Sequence, residues 1–267
     1  MQRALAAALL SGILCGLIGV IVVEKRMVMM SGGIAHTAYG GVGLGYLAGF
    51  SPLLGAVLFS LAAAFGIGSL RHRRGARVEV LISLFWSFGM AAGIVFVALA
   101  PGGYPAELNS YLFGNILTVE RLDLLLMLGA TLLALFLFFL FYQDFKAYLF
   151  DETFAGISGL ATGALSYLLF GLIALSVVVL LRVTGIMLTI ALLTAPAATA
   201  ALLSRRLLPR ILLAAVLSSV FSIVGLVLSF YLNIPSGAVI VAVAILTYVI
   251  ALSLHAYLLR RRKKQGS

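Results

Sequence analysis

Residues 211–231 read ILLAAVLSSVFSIVGLVLSFY, a run that contains no charged side chain. A helix of about 20 apolar residues is long enough to cross the hydrocarbon core of a bilayer. Comparable runs, separated by charged or Gly/Pro-rich breaks, recur along the chain. We place nine of them, at 4–23, 28–49, 53–70, 78–99, 122–142, 157–181, 186–203, 211–231 and 238–259. The sequence therefore predicts an all-α, polytopic membrane protein with eight to nine transmembrane helices.

The composition excludes an ordinary water-soluble protein. Hydrophobic residues make up 63% of the 267 residues, charged residues make up 10%, and the mean hydropathy is +1.21. A soluble domain needs far more polar surface. The longest polar connections, 101–110 and 143–152, are too short to hold a separate domain. We therefore expect one transmembrane domain over residues 1–267.

The basic residues follow a membrane topology. If the N-terminus is outside, all of the 18 Lys and Arg residues except Arg3, Arg121 and Arg182 fall in inner connections or in the C-terminal tail. This distribution obeys the positive-inside rule. It predicts an outer N-terminus and a cytoplasmic C-terminus. Because the charges lie between spans and not on one face, the net charge of +10 does not indicate a nucleic-acid partner.

Motifs for catalysis and nucleotide binding are missing from the sequence. It contains no G-x-x-x-x-G-K-[ST] phosphate loop, no H-E-x-x-H and no C-x-x-C. Cys15 is the single cysteine, so no disulfide framework or thiolate metal cluster can form within the chain. We therefore expect no enzymatic activity and no machinery for ATP hydrolysis in this chain.

Small residues at helical spacing predict close packing between helices. Glycines one turn apart let a neighbouring backbone approach closely. The pairs are Gly12/Gly16, Gly41/Gly45, Gly45/Gly49, Gly89/Gly93 and Gly159/Gly163. They favour a compact bundle and carry no information about the cargo.

His36 is the first candidate for a transport path. It lies near the middle of the second span, beside small and hydroxyl residues that include Ser31 and Thr37. An imidazole in hydrocarbon is rare, and intramembrane ionisable residues often mark transport paths. The alternative interpretation is a neutral histidine that is hydrogen-bonded to a neighbouring helix.

Glu79 is the second candidate, at the start of the fourth span. It would lie about 10 Å shallower than His36, because seven residues of helix rise by roughly that distance. The two could share a metal ion only if the spans are staggered or one is broken. The alternative for Glu79 is a carboxylate at a helix entry, stabilised by the helix dipole and by Arg77.

Several segments, taken in order, resemble the permeases of bacterial ABC importers for zinc, manganese and iron. They are MSGGIAH at 30–36 with the glycines of 40–45, EVLI at 79–82, MAAGI at 90–94, YLFGNIL at 111–117, FDETFA at 150–155, ALLTAPAATA at 191–200 and IPSG at 234–237. The matches span nearly the whole chain. Each is weak alone, and their common order makes the resemblance specific.

The resemblance implies a subunit of a larger machine in the cell (inner) membrane of a bacterium or archaeon. The expected partners are a second copy of the chain, two ATPase subunits that use ATP, an extracellular metal-binding protein and membrane lipid. The chain itself would bind no cofactor and would conduct a divalent metal ion past His36 and Glu79, which would ligate it transiently. One departure is Gly32, where many relatives carry Asp four residues before the histidine.

The resemblance also implies a surface that couples the permease to the ATPase. Pro196 is expected to break the seventh span, so that 197–206 turns at the cytoplasmic face. An ordinary proline kink in a continuous span is the alternative. The expected coupling residues are Ala197, Ala198, Thr199, Arg205, Arg206, Phe150, Asp151 and Glu152.

Other transporter classes stay open at this point. A gradient-driven carrier or channel usually needs intramembrane carboxylates, and here all but Glu79 fall at or outside the ends of spans. An ABC permease for siderophores or cobalamin would usually be longer. Zinc, manganese and iron are not separated, because histidine with carboxylate suits all three.

Overall fold

The computed structural model describes residues 2–74, 77–101, 111–112, 114, 116 and 119–265. Three predicted segments lie partly outside the described residues. They are residues 102–110 of the outer connection predicted at 101–110, part of the 111–117 motif, and Gly75 and Ala76 of the basic loop. The helices in the described part are α1 (Gln2–Glu24), α2 (Val28–Ala48), α3 (Pro52–Arg74), α4 (Val78–Leu99), α5 (Arg121–Leu140), α6 (Tyr142–Phe150), α7 (Glu152–Ile157), α8 (Thr162–Leu203), α9 (Leu207–Leu232) and α10 (Ser236–Gln265).

Glycine contacts set the packing of α1 against α9. A Cβ on Gly12 would overlap Ser219, and one on Gly16 would overlap Ala215. As the α1 residue number rises, the α9 number falls, so the two helices are antiparallel. In lipid the hydrophobic effect does not drive helices together, so the van der Waals contacts of this close approach stabilise the pair.

Glycines also set α2 against α4, but here the helices run parallel. A Cβ on Gly33 would lie 2.7 Å from Ile82 Cγ2, and one on Gly40 would lie 2.8 Å from the Gly89 carbonyl oxygen. A Cβ on Gly43 would lie 2.6 Å from the Gly93 carbonyl oxygen. The partners advance together along both helices, which fixes the level of every α4 residue relative to α2.

The predicted glycine pairs are confirmed at three of the helix interfaces. Gly12/Gly16, Gly41/Gly45 and Gly89/Gly93 all press on a neighbouring helix or on its first residue. The Gly159/Gly163 prediction is wrong, because neither position has a neighbour within 4 Å of an added Cβ. The Gly45/Gly49 prediction is also wrong, because Gly49 has no such neighbour. Gly159 adopts φ 85° between α7 and α8, so it serves a turn and not a helix contact.

The long helix α8 folds back on itself at Gly185. This residue has φ 73° and ψ 169°, which is outside helical geometry. Thr162 lies beside Gly156 of α7, and Ser204 accepts a hydrogen bond from Arg210. Arg210 pairs with Glu24, whose neighbour Lys25 pairs with Glu152 of α7. Both ends of α8 are therefore at the same end of the bundle, whereas a straight helix of 42 residues would extend about 63 Å.

The predicted helix break at Pro196 is wrong. Pro196 lies inside the second half of α8, which continues to Leu203 with a cap at Ser204. The break lies at Gly185, where glycine adopts the positive φ without steric penalty. A proline is tolerated in a buried membrane helix because neighbouring groups satisfy the freed backbone carbonyl. Pro196 is itself buried.

Seven helices of the described part are long and apolar enough to cross a membrane. They are α1, α3, α4, α5, α8, α9 and α10. The folded α8 contains two of the predicted spans, and α2, with many glycines, is not among the seven. The all-helical, polytopic prediction is confirmed, and its count of nine is approximate. The polar connection predicted at 143–152 is largely helical, in α6 and α7.

Candidate functional site

His36 stacks on Trp86 at the interface of α2 and α4. The ring centroids are 4.2 Å apart and the ring planes differ by 15°. His36 is half-buried, although the α2 residues around it are buried. Its Nδ1 atom is buried and has no hydrogen-bond partner. The alternative of a histidine hydrogen-bonded to a neighbouring helix therefore does not describe this ring, because its packing partner is an indole.

Gly32 lies one helical turn before His36 and faces the same indole. A Cβ at position 32 would lie 3.2 Å from Trp86 Cζ3 and 3.6 Å from Ile190 Cδ1. A separation of 3.2 Å is tighter than an ordinary van der Waals contact. An added Cβ at position 32 would therefore crowd the Trp86 ring, which would have to shift by a few tenths of an ångström, and it would make an ordinary contact with the Ile190 methyl group.

The hydroxyls of Ser31 and Thr37, the two further residues predicted on the path, are hydrogen-bonded within the protomer. The Ser31 hydroxyl is buried and donates to the Val28 carbonyl at 2.8 Å. The Thr37 hydroxyl is 2.7 Å from the Gly33 carbonyl oxygen and 3.0 Å from that of Phe85. Both side chains satisfy their hydroxyls on backbone carbonyls, and Thr37 ties α2 to α4.

Glu79 is exposed at the beginning of α4 and does not meet His36. The parallel alignment of α2 and α4 places His36 level with Trp86, seven residues beyond Glu79. That spacing corresponds to about 10 Å along the helix axis, as the sequence predicts. No group of three or more His, Cys, Asp or Glu side chains that could hold a metal ion occurs in the described part of the chain.

The end of the bundle that holds 24–26 and 204–210 carries a network of ion pairs. Glu24 at the end of α1 pairs with Arg210 of α9. Lys25 pairs with Glu152 at 3.1 Å and lies 3.5 Å from the ring centroid of Tyr148. Sequence reasoning missed this network, because each partner lies on a different helix. The signal available was opposite charge at the ends of adjoining spans.

The two segments predicted to couple to an ATPase meet at this same end. Phe150 and Arg205 line one small depression, together with Glu24, Leu149, Leu207 and Arg210. Phe150 is 68% exposed, and Arg205 and Arg206 are also exposed. Two further apolar side chains, Phe154 at 63% and Ile157 at 82% exposure, continue the surface along α7. Sequence reasoning did not single out Ile157, which it placed in a membrane span.

The other predicted coupling residues differ in exposure. Ala197 and Thr199 are buried, and the Thr199 hydroxyl donates to the Ala195 carbonyl at 2.8 Å. Ala198 is half-buried. Asp151 caps α7, because its carboxylate accepts from the backbone N–H groups of Thr153 and Phe154. Of the residues predicted to couple, Phe150, Arg205 and Arg206 are therefore accessible, whereas Ala197 and Thr199 are not.

A further ion pair lies at the opposite end of the bundle. Asp123, in the first turn of α5, is 7% exposed and pairs with Arg182, three residues before the turn at Gly185. The Asp123 carboxylate also accepts from the backbone N–H of Glu120 at 3.1 Å. Among the described residues Asp123 is the buried carboxylate, and a guanidinium and a backbone donor already engage it.

The described part of the chain contains seven apolar helices of membrane-crossing length, which indicates a multi-pass membrane protein. A half-exposed imidazole lies between α2 and α4, and a charged, partly apolar surface lies at one end of the bundle. Residues 1–255 match the ABC 3 transport family. The chain belongs to this family and is a membrane permease subunit of an ATP-binding-cassette transporter. A permease subunit of this kind is not an enzyme. The family match confirms the resemblance indicated by the sequence motifs.

Relatives from bacteria match over almost the whole chain. The uncharacterized membrane protein slr2045 of Synechocystis is 44% identical, over 95% of this chain and 90% of its own length. The manganese transport system membrane protein MntC of Halalkalibacterium halodurans is 35% identical, over 94% of this chain and 86% of its own length.

Solved structures show the same fold. A chain of PsaBC from Streptococcus pneumoniae, solved in complex with Fab, superposes with a TM-score of 0.84. It is 30% identical, and the alignment covers 94% of this chain and 90% of that one. A putative metal-chelate type ABC transporter in an inward-facing conformation has a TM-score of 0.74 at 17% identity, covering 94% and 85%. The second likeness concerns the fold alone.

Proposed function

We propose that this permease conducts a divalent metal ion, zinc, manganese or iron, into the cell along a path that passes His36. The observation that carries the proposal is the exposure of this imidazole. His36 is half-exposed in the middle of α2, whereas its neighbours in the helix are buried. Neutral imidazole is a common ligand for borderline divalent cations. A single imidazole exchanges its ion quickly, which suits passage better than storage. The manganese transport name of the MntC relatives supports this cargo class.

The working unit is a homodimer with His36 of each copy on the path between the two halves. A single imidazole and the distant Glu79 do not make a metal site within one protomer. A second copy of the chain would supply a second imidazole at the same level. Glu79 is exposed at the inner end of α4. It would bind the ion after His36, as a weaker and separate site. Ser31 and Thr37 are left out of this path.

Two ATPase subunits dock on the inner end of the dimer and supply the energy from ATP. Their contact surface on each permease consists of Phe150, Phe154, Ile157, Arg205 and Arg206, and all of these are exposed. The ion pairs of Glu24 with Arg210 and of Lys25 with Glu152 join this surface to α1 and α9. Movement of the docked ATPase would thereby reach the helices of the bundle. An extracellular metal-binding protein delivers the ion at the other end.

The N-terminus lies outside and the C-terminus in the cytoplasm. The antiparallel packing of α1 on α9 and the α9–α10 contacts of Gly225 with Ile240 support termini at opposite ends of the bundle. The basic connections at 24–26 and 204–210 lie at the end that also receives the basic tail, and the positive-inside rule makes that end cytoplasmic. The protein would then lie in the cell membrane in contact with lipid.

A gradient-driven carrier is the second candidate, and the buried carboxylate argues against it. Proton or sodium coupling requires an ionisable group that can change its state within the membrane. Asp123 is held by Arg182 and by the N–H of Glu120, and it lies at a helix end. The test is metal uptake by the assembled transporter in proteoliposomes, with and without ATP. Uptake that needs ATP and no ion gradient supports the proposal, and gradient-driven uptake without ATP would overturn it.

A further inference from the structure

Trp86 is the single tryptophan in the sequence. It lies beside two positions in the middle of α2, His36 and Gly32. One face of its indole stacks on His36 at 4.2 Å. Its Cζ3 edge lies 3.2 Å from the place where a Cβ of residue 32 would stand. Position 32 is one helical turn before His36, so its side chain would share a face with the imidazole. The indole therefore limits the size of the side chain that fits beside His36 at position 32.

We propose that Trp86 sets the cation preference of the path by crowding the position from which an oxygen ligand would join His36. The inference rests on the proposed function, because it assumes that the cation passes this imidazole. With Gly32 and Trp86 in place, the ion meets an imidazole nitrogen and an aromatic face, without a carboxylate. Carboxylate oxygens suit Mn²⁺, whereas imidazole suits Zn²⁺. The path therefore favours Zn²⁺ over Mn²⁺ relative to one with a carboxylate at position 32.

The stack also positions the imidazole. A ring held parallel to an indole cannot rotate freely about its Cβ–Cγ bond, so its two nitrogen atoms keep fixed directions. Nδ1 is turned into the protein without a partner, which leaves Nε2 as the nitrogen for a passing ion. Binding of a dication draws electron density from the imidazole, and the π face of the indole stabilises the positive charge that develops. Trp86 is a positioning residue, since it acts on the ion through His36.

The sharpest test is a double-mutant cycle on Gly32 and Trp86. The variants are Gly32→Asp, Trp86→Ala and the double variant, with ATP-driven uptake of Zn²⁺ and of Mn²⁺ normalised to membrane-inserted protein. Gly32→Asp alone should lower uptake of both ions, because the new side chain crowds the indole that stacks on His36. In the double variant the carboxylate has room beside His36. The change in the Mn²⁺ to Zn²⁺ uptake ratio, relative to the wild type, should then be about fivefold larger than the product of the changes in the two single variants.

Trp86→Phe is the conservative control, because a smaller ring can still stack on His36. It should keep more of the wild-type Zn²⁺ preference than Trp86→Ala. If the single effects on the uptake ratio multiply without excess, Trp86 does not control position 32 and the inference is overturned.

His36→Ala in the same assay tests the proposed function separately. Unchanged normalised uptake in that variant would show that the ion does not pass His36, whatever the result of the double-mutant cycle.

The single tryptophan provides a second readout that does not depend on transport. In the purified full-length permease, all tryptophan emission comes from Trp86. Zn²⁺ added to the wild type should change this emission, and the change should be absent in His36→Ala. Mn²⁺ should change it less at the same concentration. Equal responses of the wild type and of His36→Ala to Zn²⁺ would contradict the stacking role.

Discussion

Arg182 pairs with Asp123, so the residue three positions before the fold-back of α8 is tied to the first turn of α5. Asp123 is buried and Arg182 is half-buried, and the Asp123 carboxylate also receives the N–H of Glu120. The pair therefore holds three parts of this end of the bundle together: the approach to α5, α5 itself and the turn at Gly185. Removing one partner leaves the other charge unpaired in an apolar environment.

Asp123→Ala should destabilise the protein strongly. Loss of one partner from a buried pair typically lowers stability by about 3 to 5 kcal/mol, because the remaining charge keeps its desolvation penalty. Thermal unfolding of the purified permease, followed by loss of monodisperse protein, measures the effect. The double variant Asp123→Ala, Arg182→Ala should be more stable than Asp123→Ala alone. Equal melting temperatures for the wild type and Asp123→Ala would mean that the pair contributes nothing.

Gly41→Ala should disrupt the packing of α2 against α3. A Cβ at this position would overlap the backbone carbonyl of Gly55, and a backbone atom cannot move aside as a flexible side chain can. Gly129→Ala is a matched control in α5, where an added Cβ has no neighbour within 4 Å. We expect overpacking of about 1 to 3 kcal/mol for Gly41→Ala. Gly129→Ala should be neutral or slightly stabilising. Similar melting temperatures for the two variants would refute the packing argument.

Phe150→Ala and Phe154→Ala should weaken binding of the ATPase. Both side chains are exposed on α6 and α7, at the end of the bundle that carries the ion pairs of Glu24 and Lys25. Phe136→Ala is the control, since Phe136 is 63% exposed in the apolar helix α5. Co-purification of the ATPase with the permease should fall several-fold for the first two variants only. Retention of the ATPase by both variants would exclude this surface from the contact.

The orientation of the chain can be measured with thiol labelling. Cys15 is the single cysteine and is buried, so Cys15→Ala provides a background without reactive thiols. A cysteine introduced at Arg3 should react with a membrane-impermeant reagent added to intact cells. A cysteine introduced at Lys146 of α6 should react only after the membrane is opened. Labelling of the second position in intact cells would invert the topology.

Hydropathy predicted the membrane helices well because it reads a local property of the sequence. Each predicted span overlaps an observed helix, and the fold-back near Gly185 lies within the predicted break at 182–185. Pro196 misled the prediction, since proline breaks isolated helices but is tolerated where neighbouring helices satisfy the backbone. The helices α6 and α7 were interpreted as a polar connection, because their charged residues lowered the local hydropathy.

The candidate site was predicted only in part, because its partners come from different helices. His36 was found from the rarity of an imidazole in an apolar span, and its level relative to Glu79 followed from helix geometry. Trp86 was missed, since an aromatic residue in a membrane span carries no signal of its own. Ser31 and Thr37 were expected on the path from their polarity, yet their hydroxyls bind backbone carbonyls. Which face of α2 is open depends on how α4 packs on it.

The most direct test of the account is metal uptake by the His36→Ala variant. The assembled transporter is reconstituted in proteoliposomes with its binding protein and ATP, and uptake of Zn²⁺ and Mn²⁺ is normalised to inserted permease. We predict a several-fold loss of normalised uptake at unchanged permease abundance, because the ion loses its ligand in the middle of α2. Normalised uptake equal to that of the wild type would contradict the central claim that the metal passes His36.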